Sequence, residues 1–316
     1  GHGIDIGQLW RGYLLPTKPG WYYGCGEFGT EGLEQESVMR KYYPAEWLTE
    51  PFDPAHIVGA QTAPFHYFFY DDQDSIGDWI EASQRFQALG VRSMTESFRR
   101  DNRMISGALH LFIDAFPSGW MKTIMDCERH PKKAFFAYRD ALAPIMLSLR
   151  TDRFTYYEGE EMSVEAHICN DTQLSGDCRV RFELYRAGEL VYSGERDAYM
   201  AANCAGYASS ASLTAPSTAD RDKYTLRGIL IDADGKVLAW NELPLEVFRH
   251  VEIVPSENTR LITMLTEDTV IAGETVRVKA CGMSPVHFAS RKTGHPAVVE
   301  FEPEDIRYFY DSAEDM

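Results

Sequence analysis

The chain lacks most of the features that reveal a function by composition alone. Its six cysteines, at positions 25, 127, 169, 178, 204 and 281, include no CxxC pair. That excludes a zinc ribbon and a thioredoxin-type site. Cys169 and Cys178 flank a turn-rich loop and could pair across a hairpin, but buried free thiols are the preferred reading. No run of about 18 apolar residues exists, so no membrane-spanning helix is expected. Basic residues are outnumbered, 31 Lys and Arg against 48 Asp and Glu, for a net charge of −17. A nucleic-acid or anionic-membrane partner needs a basic face and is excluded. The opening Gly1-His2-Gly3-Ile4-Asp5 has no initiator Met, charged n-region or apolar h-region. We read that end as produced by cleavage or by artifice, with the cytoplasm as the default location. Internal repeats and low-complexity tracts are also missing.

What remains is an ordinary globular composition, 44% hydrophobic and 13% aromatic over 316 residues. That length suits two or three domains at about 100–200 residues each. Three textures divide it. Residues 1–146 alternate short apolar segments with helical patterns. Trp21–Cys25 is an aromatic strand, followed by a helix near Glu34–Lys41. Asp74 or Ser75 can cap the next helix, whose Ile76, Ile80, Val91, Met94 and Phe98 keep a 3.6-residue period. Ile105–Ile113 is continuously apolar, as a buried strand would be. Lys132–Leu142 forms another helix, with Pro131 at its start and Pro144 beyond its end. That rhythm predicts a β/α unit with parallel strands.

Residues 147–249 switch to period two, as in Met162, Val164, Ala166 and Ile168. Turn signals recur at Glu158-Gly159, Asp177, Ala187-Gly188 and Asp234-Gly235. This predicts an antiparallel sandwich of immunoglobulin-like type, with a hairpin of Tyr224–Asp232 and Lys236–Trp240. Residues 250–316 hold one more alternating strand within Thr269–Ala280 and an acidic, aromatic tail. They form a β-rich segment that reads as the start of a further domain. The fold class is thus mixed α/β and all-β.

Chemistry concentrates in Gly24-Cys25-Gly26-Glu27-Phe28-Gly29-Thr30-Glu31-Gly32. A carboxylate at a strand end, among glycines that let backbone and substrate approach, suits a nucleophile or a general acid/base. Glu27 fits that place. Glu31 is read as structural, at the start of the next helix, where the macrodipole favours negative charge. The stretch also satisfies the formal dinucleotide fingerprint GxGxxG. That reading puts a glutamate against pyrophosphate and needs a βαβ unit, where Pro44, Pro51 and Pro54 follow instead. It is set aside. Asp71-Asp72-Gln73-Asp74 lacks the glycine and terminal Glu of a calcium loop and reads as a capping loop. No metal or cofactor is expected.

Glu27-Phe28-Gly29 after a strand resembles the nucleophile motif of glycoside hydrolase family 2, the β-galactosidase, β-glucuronidase and β-mannosidase group. Further motifs follow in the family's order. They are Asp74-Ser75-Ile76, Trp79-Ile80, Gln84 and Gln87-Ala88, then Phe98-Arg99-Arg100, Ser106–Leu109, Pro131–Tyr138 and Ala143-Pro144. The resemblance covers about residues 20–175. It implies barrel strand 7, helix 7, strand 8 and helix 8 of a TIM-type β/α barrel, followed by a sandwich. It also implies a retaining mechanism, in which Glu27 attacks the anomeric carbon and a second carboxylate about 5–5.5 Å away is the acid/base.

In the family that partner follows an Asn on strand 4. The one Asn-Glu pair here, Asn241-Glu242, lies in the sandwich, so the acid/base is expected outside this chain. The strand-8 segment departs too. His110–Pro117 carries no Trp before Trp120, where the family has a Trp-rich floor under the sugar. His66, His110 and Asp114 are candidate sugar ligands, and Trp21 offers a stacking face beside Tyr22 and Tyr23. Hydrogen bonding, capping and core packing are the structural alternatives. Ser290–Pro296 and Phe301-Glu302-Pro303 resemble a segment of multidomain members, and so imply more chain beyond Met316.

Two strands cannot close a barrel. The expected partners are a carbohydrate substrate and the rest of the same polypeptide, or another chain, to complete the barrel. The competing expectation is a non-catalytic remnant that binds carbohydrate or protein.

Overall fold

The computed structural model describes residues 22–49, 73–101, 104–114, 122–151 and 153–249, and the backbone of three strands within 260–301. The described residues fall into two compact units, the second comprising those three strands. Strands dominate and helices are few.

In the first unit β1 (Tyr23–Phe28) leads to α1 (Glu36–Tyr42), a 3-10 turn (Ala45–Leu48) and α2 (Ile76–Arg100). Then come β2 (Met104–Leu109) and α3 (Lys133–Ala141). β1 and β2 pair in parallel, Tyr23 opposite Met104 and Phe28 opposite Leu109, as the β/α rhythm predicts. Ser75 is the N-cap of α2, its hydroxyl accepting from the Asp78 N–H at 3.1 Å. The period-3.6 residues Ile76, Ile80, Val91, Met94 and Phe98 are all buried. Phe98 meets Phe28 edge to face, with ring centroids 5.0 Å apart, which seats α2 on β1. β2 is largely exposed, with Ile105 at 71%. A strand of a parallel sheet is ordinarily covered on both faces.

The sandwich is built from β3 (Ile145–Thr151), β4 (Thr155–Tyr157), β5 (Glu161–Asn170), β6 (Gly176–Arg186), β7 (Glu189–Met200), β8 (Cys204–Thr214), β9 (Arg221–Asp232) and β10 (Val237–Phe248). One sheet runs β3-β5-β8 and the other β4-β10-β9-β6-β7, antiparallel throughout except for β4 against β10. The inward residues of the period-two pattern, Met162, Val164, Ala166, Val180, Phe182 and Leu184, meet in one core. The β6–β7 hairpin turns on Ala187 and Gly188, both at positive φ, the conformation a two-residue turn needs. Asp234-Gly235 turns β9 into β10, as expected. Cys169 and Cys178 are buried free thiols.

The sandwich is fastened to α2 by a buried polar network. Glu96, fully buried, accepts from Arg92 Nε and Asn241 Nδ2 at 2.8 Å each and from Ser148 Oγ at 2.8 Å. Asn241 also donates to the Leu147 carbonyl, and Arg100 to Ser148 Oγ. Asn241 of the Asn-Glu pair flagged in the sequence is therefore part of a structural joint, while Glu242 pairs with Arg227. Arg99 closes the same seam through the Ala141 and Ala143 carbonyls and Asp171.

The second unit is an antiparallel sheet in the order β11 (Arg260–Leu265), β12 (Val276–Met283), β13 (Pro296–Phe301). β12 carries the alternating Val276, Val278 and Ala280. The first part of that predicted strand lies outside the described residues.

Candidate active site

Glu27 is the fifth residue of β1, its side chain 48% exposed. His110 follows the last residue of β2. Because the strands run parallel, their ends arrive side by side. The His110 N–H donates to the Phe28 carbonyl at 2.8 Å, extending the pairing one step past the strands. His110 Nδ1 then stands 3.3 Å from Glu27 Oε2. At that distance the imidazole stands beside the carboxylate and can orient it. Gly29 permits the approach, since a Cβ there would meet the His110 carbonyl oxygen at 2.5 Å. Cys25 Sγ donates to the Glu27 carbonyl at 3.2 Å.

The segments beyond both strands rest on buried polar groups. Ser83 Oγ accepts from the Leu33 N–H at 3.0 Å, and Gln84 Nε2 donates to the Leu33 carbonyl at 2.8 Å. Lys132, fully buried, donates to the Gly32 carbonyl at 2.8 Å. Burial pushes its ammonium down to about 8, against the pull of Asp114 and Glu34. Asp114 is buried and accepts from Thr123 Oγ1 at 2.7 Å. Burial holds the Asp114 and Glu34 carboxyls above the usual carboxylate range, with Lys132 opposing it in both.

Of the residues singled out by sequence, Glu27 and His110 come together. Asp114 sits in the buried cluster with Thr123 and Lys132. Trp21 and His66 lie outside the described residues. Glu31 is not at a helix start, because α1 begins five residues later. It is buried in the loop, with Lys122 Nζ 3.9 Å from Oε1, and burial pushes its carboxyl up to about 7. Sequence reasoning missed Lys132, read only as a helix start. A Lys after Pro131 at the head of an amphipathic helix carries no mark of its burial. Among the described residues no His, Cys, Asp and Glu cluster could hold a metal ion, and no helix is long and apolar enough to cross a membrane.

No family model and no curated protein matches this sequence. Among solved structures, the fold matches that of a β-D-mannosidase from Dictyoglomus thermophilum. The match has a TM-score of 0.58 and 14% identity over 97% of this chain and 38% of that one. A glycosyl hydrolase family 2 member from Bacteroides cellulosilyticus matches 32% of this chain and 15% of that one, at 13% identity and a TM-score of 0.27. A β-glucuronidase 2 variant from Bacteroides uniformis matches 31% and 12%, at 17% identity and 0.26. The two short matches carry no argument. The first shows that nearly the whole chain shares its fold with a part, about two fifths, of the Dictyoglomus mannosidase.

Proposed function

We propose that this chain is the later part of the catalytic barrel, with the following immunoglobulin-like sandwich, of a retaining β-glycosidase related to glycoside hydrolase family 2. The observation that carries the proposal is the Glu27–His110 pair, where two parallel strands end together. Loops after barrel strands are where such enzymes keep their chemistry. The likeness to a β-mannosidase over nearly the whole chain supports it.

In this reading Glu27 attacks the anomeric carbon as the leaving oxygen takes a proton from an acid/base supplied by polypeptide outside this chain. Water then hydrolyses the glycosyl-enzyme with that residue acting as base. His110, in place of an aromatic floor, orients the Glu27 carboxylate. Substrate choice among mannoside, glucuronide and galactoside is left to residues on the other strands. In the complete protein Glu27→Gln abolishes turnover and leaves folding intact, while the 316-residue chain alone hydrolyses nothing. Wild-type rates from Glu27→Gln contradict the nucleophile assignment, and turnover by this chain alone contradicts the shared site.

A second reading, a carbohydrate-binding remnant, finds support in Trp240. It is 59% exposed on β10, with the Arg227 guanidinium 6.0 Å from its ring and Glu242 beside it. An aromatic face with polar groups at its margin is what a sugar ring stacks on. Retention of this chain on immobilised polysaccharide, lost in Trp240→Ala, separates this reading from the first.

A further inference from the structure

Gln87 lies on the buried face of α2, one turn beyond Ser83 and Gln84, and is wholly enclosed. Its side-chain amide nitrogen reaches three main-chain carbonyls. Thr30 O, at 3.1 Å, belongs to the loop that leaves the Glu27 strand. Lys122 O and Thr123 O, at 3.2 and 2.9 Å, belong to the segment beyond His110. That second segment is bound back to the His110 end of β2, since the Ile124 N–H donates to the Leu111 carbonyl and the Asp114 N–H to the Met125 carbonyl. One amide thus spans both chain segments that carry the pair. Ser83 differs, because its hydroxyl holds only the first segment, through Leu33.

Gly32 completes the fit. A Cβ there would meet Gln87 Oε1 at 2.5 Å, so the loop closes over the amide without room for a side chain. A buried carbonyl deprived of its donor must find another partner or move. Losing the amide therefore loosens both segments at once, leaving Lys132, which reaches the Gly32 carbonyl and Thr123 Oγ1, as the tie between them.

We propose that Gln87 is a positioning residue, whose amide sets the separation of Glu27 and His110 by tying the loops beyond them together. The inference rests on the reading of Glu27 as the reacting carboxylate, but concerns the pair itself and can be measured without turnover.

The test uses the complete protein with 15N-labelled histidine and follows the ring nitrogens of His110, identified by their loss in His110→Ala. In the wild-type background Glu27→Gln shifts these signals, because the acceptor at 3.3 Å is no longer a carboxylate. In Gln87→Met, which keeps length and burial, Glu27→Gln leaves them unmoved. In Ser83→Ala, which removes a buried hydroxyl from the same helix face, the response stays as in wild type. A response retained in Gln87→Met overturns the proposal, as does one lost equally in Ser83→Ala. No response in the wild-type background overturns it too. Should Gln87→Met not fold, Gly32→Ala decides the matter by displacing the amide while keeping it. Loss of response supports the proposal and a retained response overturns it. Failure of Glu27 to act in turnover would reject the glycosidase reading and leave the spectroscopic result standing.

Discussion

The ring of His110 and the carboxylate of Glu27 stand 3.3 Å apart at the ends of two parallel strands, joined beneath by the Phe28–His110 main-chain hydrogen bond. In the complete protein, His110→Phe keeps a ring of similar breadth and removes the donor. A contact to a charged group that tightens into a hydrogen bond in the substrate complex is worth about 1.5–3 kcal/mol, so kcat is expected to fall roughly 10- to 100-fold. Under the proposed function Glu27 is untouched in this variant, which is therefore expected still to form a glycosyl-enzyme, only more slowly. An unchanged kcat would show that the imidazole does nothing for the carboxylate.

The joint between α2 and the sandwich makes a stability prediction. Asn241→Ala takes one donor from Glu96 and the only described side-chain donor from the Leu147 carbonyl. Leaving such groups buried and underserved costs about 1–3 kcal/mol. Urea unfolding of the 316-residue chain should show that loss. A change below about 0.5 kcal/mol, typical of surface substitutions, would mean the network is not what joins the two parts.

Glu31 makes a prediction about pH. Its folded-state carboxyl is raised from 4.5 to about 7, by burial and against Lys122. The folded protein therefore binds a proton that the unfolded chain has released between those values. Its contribution is full below about 4.5 and is lost as pH climbs to about 7. Glu31→Gln fixes the neutral form and removes that decline, so the variant gains on wild type across this window by about 1–3 kcal/mol. Thermal unfolding at pH 4.5 and pH 7 measures the difference. Parallel behaviour of the two proteins would exclude a buried, proton-bound Glu31.

Much of this was legible in the residues. Ser75, the period of Ile76 to Phe98 and the glycine turns at Gly188 and Gly235 act locally, through capping, amphipathicity and positive φ. The parallel pairing of β1 with β2 followed from the helix between them. Less legible was β8, whose Ala205, Ser209, Ser210 and Ala211 have weak strand propensity and are held by pairing to β5. Asp114 read as a sugar ligand or a cap, and Glu31 as a helix-start carboxylate, because their burial beside Lys132, Thr123 and Lys122 involves residues whose packing no spacing announces. The contact of His110 with Glu27 depends on strand register, which sequence alone leaves open.

The central claim is tested most directly by trapping the intermediate. The complete protein is incubated with 2-fluoro glycosides of mannose, glucuronic acid and galactose bearing good leaving groups, then digested and mapped by mass spectrometry. The account predicts that one of the three adds a single fluoroglycosyl group to Glu27 and that Glu27→Gln takes up none. A group found on another carboxylate, or uptake unaffected by Glu27→Gln, would contradict it.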